Sequence, residues 1–473
     1  MLMNKYVNLF VRLSIFFIGA FASVSIMFSN EKLPSTLFLI PLIYSTLILL
    51  LPSFTKYMFE NIGLFALNVS MIIRYLISPL LISLNGIAYT KSMLPSQDSY
   101  NLAIFLMLYE VIIVFCVFQL TYRKFYKVDE SVKNHIEGKQ NIAGWLFVIF
   151  CFSLIFIYPD ILSRYTFVFT AEELKSKTLE VDIASIIPLL FQLGMLVLTI
   201  SLFNMFYKKY RANKNYSYVI ITVIIVLITS SFIMGTSRFS VVLPLATGLY
   251  MVFLLFKKYR KSISIISILV ILVVVLFSSI LKSNTINNSS SSSGEFGNNL
   301  NDNLQLYFSG VNNVAIAVET NKTYSHFNFE SILSDTTKNI VLINSFFSND
   351  KSALTDFNKT FYSGGISRDQ ILPMIGQGYL YFGFLLSPIF STIILLLLMY
   401  FDSKVIRMDS FFLRYIYAYI SLKFGLFMMS NFTNLLSFLT NNFLILLILF
   451  NINEIMIENK KRKINKEVYY EHR

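Results

Sequence analysis

Long apolar runs separated by short polar breaks recur along almost the whole chain, near 6–29, 35–53, 61–85, 100–122, 141–158, 183–206, 216–234, 237–256, 262–282, 372–400, 409–430 and 434–453. Crossing a hydrocarbon core takes about 20 mostly apolar residues, so these runs predict about twelve membrane-spanning segments. They are far longer than a barrel strand and show no alternation of period two, so the spans are expected to be α-helices. The predicted fold class is an all-α polytopic membrane protein. One polar stretch interrupts the pattern, from Ser283 to Ile371, and it ends in SRDQILPMIGQGYLYFG where the apolar character returns.

This pattern divides the chain into a membrane domain over 1–282, a loop over 283–371, a second membrane block over 372–453 and a basic tail over 454–473. Within the loop, 284–301 is rich in Ser, Asn and Gly and is expected to be a flexible spacer. From Leu304 onward aromatic and aliphatic residues return at spacings of three and four, which predicts an amphipathic helix resting on the membrane surface. Gly364-Gly365 predicts a turn just before Arg368. No internal repeat is visible.

Composition agrees with the pattern. The 473 residues are 55% hydrophobic and 14% charged, whereas about a quarter of a soluble domain is charged. The net charge of +13 does not mark a nucleic-acid surface, because it is gathered in short loops: Arg123/Lys124/Lys127, Lys208/Lys209/Arg211/Lys214, Lys257/Lys258/Arg260/Lys261 and Lys460/Lys461/Arg462/Lys463. Even numbers of spans separate these clusters, which places all four, and both termini, on the cytoplasmic side. The 283–371 loop is then outside, and its eight acidic residues against five basic ones agree in sign. The first apolar run follows Lys5 and Arg12 and contains Ala20-Phe21-Ala22, the pattern of a cleaved signal peptide; because it continues to Phe28, it is expected to be a retained first span. Cys116 and Cys151 fall inside spans and build no disulfide framework. Abundant Ile, Asn and Lys point to an AT-rich bacterial genome, hence to the bacterial cytoplasmic membrane.

Three arginines fall in or beside the membrane towards the outer face: Arg74 within MIIRYLISPLL, Arg238 in the turn GTSR, and Arg368 at the loop's exit. Each has an ordinary alternative, snorkelling or pairing with a neighbour. That alternative is weakest for Arg74, since a guanidinium near mid-span is expected to face a polar cavity. A planar guanidinium binds phosphate oxygens bidentately, so convergent arginines suit the diphosphate of a polyprenyl carrier lipid. No phosphate loop, dinucleotide fingerprint, HExxH or Cys/His metal spacing is present, so neither cofactor nor metal is expected.

The arginine-bearing RYLISPL, the GTSR turn, the long late loop and YSGGISRDQILPMIGQGYLYFG together give a chain that resembles the Wzy-type polysaccharide polymerases over essentially its full length. One variant of that family has an arginine followed by ten residues and then a glycine; Arg238 to Gly248 and Arg368 to Gly378 each enclose nine, so only the arginines are carried over. The resemblance implies that oligosaccharide repeat units linked to undecaprenyl pyrophosphate are joined at the outer face, an acceptor hydroxyl displacing the carrier diphosphate of the growing chain. It also implies a partner that regulates chain length. Arg74, Arg238 and Arg368 would stabilise the leaving diphosphate. A general base would take the hydroxyl proton, with Asp369 first and His326 and Glu319 behind it; the alternative for Asp369 is an ion pair with an arginine. Two rivals use the same carrier. A lipid-linked oligosaccharide flippase should show two similar halves and no long outer loop. An O-antigen ligase-like transferase carries a histidine at the loop's end, where this chain has Arg368.

Overall fold

The computed structural model describes residues 5–29, 33–87, 92–126, 140–159, 165–167, 186–234, 239–265, 267, 295–324, 329–341, 343, 352–363 and 370–471. Among them the regular elements are helices apart from two three-residue strands, Tyr165–Phe167 and Phe232–Met234, paired antiparallel. Six helices are long and apolar enough to cross a membrane: Lys5–Met27, Ile62–Asn85, Gln97–Tyr126, Ile186–Asn213, Ile389–Arg407 and Phe432–Asn459. A seventh arises if Val241–Leu255 and Lys257–Ile265, bent by 102°, form one broken span. The chain is a polytopic helical membrane protein.

It divides into two compact units. The first contains Met1–Glu130, Ser291–Ser403 and Ser421–Phe438. Its first two helices approach closely because Gly19 faces Ser45, where a Cβ would lie 2.4 Å from the serine side chain. The third helix begins at Ile62, and buried Asp402 satisfies its first amides: the carboxylate accepts from Gly63 N at 3.0 Å and Leu64 N at 2.9 Å. Tyr126 and Ser421 hydroxyls donate to the same group. A carboxylate on free N-terminal amides also meets the positive end of the helix dipole. Gly425 lies against the carbonyl of Gly63, and no side chain fits at either position.

Four helices from the polar stretch also belong to this unit: Glu295–Tyr307, Val311–Thr323, Phe329–Thr337 and Ala353–Phe361. The flexible spacer expected over 284–301 is therefore shorter, since 295–301 is already helix. The surface helix expected from Leu304 onward is instead two helices, broken at Ser309, which has φ +51°, and Gly310. The second does not rest on a membrane surface. Val311–Val318 are all buried, Ala317 sits against Gly376, and Tyr100 donates to Asn312 Oδ1 at 2.7 Å. Small and amide side chains let this helix pack against protein on every side, which its spacing alone did not distinguish from a lipid-facing stripe.

The predicted span 372–400 is not one helix. Met374–Leu386 is interrupted at Gly383, whose φ of +70° and ψ of −169° lie outside the helical region, and a new helix starts at Ile389 after Pro388. Gly378 lets the turn close, because a Cβ there would sit 2.0 Å from the carbonyl of Ser387. Apolarity continued through the turn, so hydropathy merged two elements.

The second unit contains Ser131–Ser290, Lys404–Ile420 and Leu439–Arg473. Its core is aromatic, with Phe203, Tyr207, Phe256, Phe411 and Tyr415 in mutual edge or stacked contact. Polar side chains close its helix ends. Asn141 accepts from Gly144 N at 3.1 Å and donates to Ser201 at 2.7 Å, while buried Arg414 donates through Nε to the Met408 carbonyl at 2.8 Å. The predicted span 216–234 ends as helix at Ser230 and continues as strand Phe232–Met234. The basic tail is a continuation of helix, which runs to Glu471.

Candidate anion-binding site around Arg74

Arg74 lies at the middle of Ile62–Asn85, within a π-helical turn over Ile73–Ile77. Such insertions rotate the residues they contain out of α-helical register and recur at functional sites. Arg74 is fully buried, as are its neighbours Tyr75, Glu110, Ser391 and Met428. Glu110, from Gln97–Tyr126, brings Oε2 within 3.1 Å of Arg74 Nη2. Tyr75 donates to the same oxygen at 3.1 Å, and Ser391 donates to Oε1 at 2.5 Å. Arg74 Nη1 donates to Met428 Sδ at 3.1 Å, and the guanidinium carbon is 5.3 Å from the Tyr75 ring centroid. Tyr44, from the helix Leu39–Leu50, stacks on Tyr75 with centroids 5.7 Å apart.

The two charges are satisfied unequally. Glu110 receives a hydroxyl on each oxygen in addition to its cation. Among the described residues Arg74 has no hydrogen-bond acceptor for Nε, nor one in line with Nη2, and a thioether is a weak acceptor for Nη1. A guanidinium can donate five hydrogen bonds, so this one keeps capacity for an anion. Tyr44 Oη and Ser78 Oγ are also buried without a partner among the described residues.

A second polar network lies in the same unit, joined to the first through adjacent residues Phe390 and Ser391. Phe390 stacks on Phe432 with centroids 4.3 Å apart and meets the edge of Tyr381. Tyr381 donates to buried Asp335, which also accepts from Ser352 and from Ala353 N at 2.9 Å. Gln377 spans to the last helix pair, donating to Thr433 at 2.9 Å and accepting from Phe432 N at 2.8 Å. Asp335 thus fastens the start of Ala353–Phe361 to Met374–Leu386.

Of the other predicted residues, Arg238, His326, Arg368 and Asp369 lie outside the described residues, as does Gly364-Gly365. The chain immediately after Asp369 is fixed: Gln370 N donates to Asn358 Oδ1 at 2.7 Å, Asn358 returns a bond to the Gln370 carbonyl at 3.2 Å, and Gln370 Nε2 reaches the Leu306 carbonyl at 3.1 Å. Glu319 accepts from Ser96 N at 2.9 Å and from the Ser96 hydroxyl at 2.6 Å, beside Lys322 at 3.3 Å. Partial burial pushes its carboxyl up, but the bonds from Ser96, Ser99 and Lys322 outweigh this and hold it down at about 2. So weak a base is poorly matched to accepting a hydroxyl proton near neutrality.

Glu110 carried the same signal as Arg74, an ionisable side chain inside an apolar run, LMLYEVIIVF, and the rule that selects one selects the other. Asp335 carried no such signal, since it stands among the polar residues of the loop. Compared with protein-family models, with curated proteins and with solved structures, the chain matches none.

Proposed function

We propose that the chain is a polymerase that joins undecaprenyl-pyrophosphate-linked oligosaccharide repeat units into a surface polysaccharide at the outer face of the bacterial cytoplasmic membrane. The observation that carries this is Arg74: a buried mid-span guanidinium with donors to spare, in a unit that also contains the helices of the long polar stretch. An anion held there must reach membrane depth, as the diphosphate of a lipid carrier does.

The full arrangement comprises about twelve spans, with both termini cytoplasmic and 283–371 outside. Geometry within the first unit supports this orientation. Loop helices attach near the start of Gln97–Tyr126, through Glu319 to Ser96 and Lys322 to Ser99, while Arg123 and Lys124 stand in its last turn. A 30-residue helix places those ends about 45 Å apart at 1.5 Å per residue, enough to separate two faces of a bilayer.

In the proposed reaction an acceptor-sugar hydroxyl attacks the anomeric carbon of the growing chain. A new carbon–oxygen bond forms as the bond to the carrier diphosphate breaks, and the diphosphate leaves on its lipid. Arg74, Arg238 and Arg368 offset its developing charge, and a dry site strengthens that interaction. Asp369 takes the hydroxyl proton, with His326 as the other candidate. The donor linkage supplies the energy, and a chain-length regulator is the expected protein partner. The test is Arg368→Ala in the producing cell. Single repeat units should accumulate on their carrier or acceptor with polymer absent, whereas normal long chains would overturn the assignment.

A further inference from the structure

Taking the diphosphate-binding reading of Arg74 as its premise, we infer that Glu110 is a positioning residue that competes with the carrier diphosphate for Arg74 and so promotes its release. A buried ion pair ordinarily cannot open, because each partner would be left charged and unpaired. Here only one partner depends on the other. Glu110 keeps two hydroxyl donors, Tyr75 at 3.1 Å and Ser391 at 2.5 Å, when Arg74 turns away. Arg74 holds the carboxylate through one nitrogen at 3.1 Å rather than through both arms of its fork, and its Nε has no acceptor among the described residues. An incoming diphosphate gives the guanidinium the bidentate acceptor that Glu110 does not. When the diphosphate departs, the carboxylate is already in place to recapture the cation.

Competition reverses the usual sign of a mutation in a buried pair. Glu110→Gln keeps the shape, its amide oxygen still accepting from one hydroxyl and its NH2 donating to the other, but removes the competing charge, so the diphosphate should bind more tightly and leave more slowly. Ser391→Ala removes a donor from the carboxylate, which then relies more on Arg74, so the diphosphate should bind more weakly. A purely structural role for Glu110 predicts weaker binding from the first change.

The experiment uses the purified full chain in detergent and titrates farnesyl diphosphate by calorimetry, with farnesol and inorganic pyrophosphate as the lipid-only and charge-only controls. Wild type should bind farnesyl diphosphate above both controls, and Arg74→Ala should lose that binding. Glu110→Gln should tighten it by about tenfold. Ser391→Ala should weaken it, and stands alone if Glu110→Gln does not fold. In polymer assays Glu110→Gln should lower kcat and KM together. Equal or weaker binding by Glu110→Gln, or unchanged or tighter binding by Ser391→Ala, overturns the inference while leaving the diphosphate reading intact. Failure of wild type to prefer farnesyl diphosphate, or retention of full binding by Arg74→Ala, overturns both.

Discussion

A guanidinium inside an apolar slab needs an opposite charge, a polar cavity or both, and Arg74 has its counter-charge in Glu110. Removing it by Arg74→Ala strands a buried carboxylate, although Tyr75 and Ser391 still donate to it. The expected cost is about 3 kcal/mol, the lower end for breaking a buried pair, read as a fall in the detergent-solubilised melting temperature. Arg74→Lys keeps the charge but loses the planar fork, so it should fold near normally while polymer yield falls at least about tenfold. Equal activity for lysine and arginine would count against bidentate anion binding. Glu319 gives a pH prediction. Its folded carboxyl is depressed to about 2 from the ordinary 4.5, so its stabilisation is present above 4.5 and is lost as pH falls from there through about 2. Amide protection at the start of Gln97–Tyr126, measured against the intrinsic exchange rate at each pH, should fall across that window, and Glu319→Gln should show the lower protection at every pH. At this scale Arg74 was legible because charge in an apolar run is conspicuous. Its partner stands on the next span, 36 residues away, where sequence spacing says nothing about who meets whom.

Helical elements were legible wherever apolarity and helix coincided, as in Gln97–Tyr126 and Ile186–Asn213 against predicted spans of 100–122 and 183–206. They were misread where the chain turns without becoming polar. Gly383 and Pro388 are the breakers that end Met374–Leu386, yet Phe384, Leu385 and Leu386 between them kept the run apolar. Val311–Thr323 shows the converse: its buried Asn312 is paired with Tyr100 and Ser92, contacts that only the fold supplies. Tight turns of this kind predict sharp effects from small changes. Gly378→Ala pushes a Cβ onto the Ser387 carbonyl, which is backbone and cannot rotate aside, so it should destabilise by about 1–3 kcal/mol in reversible unfolding. Gly383→Ala meets open space but must adopt φ +70° with ψ −169°, a region essentially closed to side chains, so its cost is conformational and about 1–3 kcal/mol. If Gly378→Ala cost no more than a surface substitution, the closeness of that turn would be refuted. Asp402→Ala removes the acceptor shared by two backbone amides and two hydroxyls, and should cost about 2 kcal/mol.

For the whole molecule, the polytopic helical class followed from hydropathy and composition because a bilayer allows so few alternatives. The division into two units did not, since each gathers segments from distant parts of the chain. Orientation is testable directly. With Cys116 and Cys151 replaced by serine, a cysteine at Glu330 should react with an impermeant maleimide in intact cells, and one at Lys124 only after permeabilisation. The reverse pattern would place the loop helices inside and remove the outer-face reaction. The central claim, that lipid-linked units are joined using only the energy of their own diphosphate linkage, is tested by reconstitution. Purified protein given undecaprenyl-pyrophosphate-linked repeat units, without nucleotide or divalent metal, should produce a ladder of polymer that Arg368→Ala and Arg74→Ala abolish. No ladder from the wild-type chain, or a ladder that appears only when ATP is added, would contradict it.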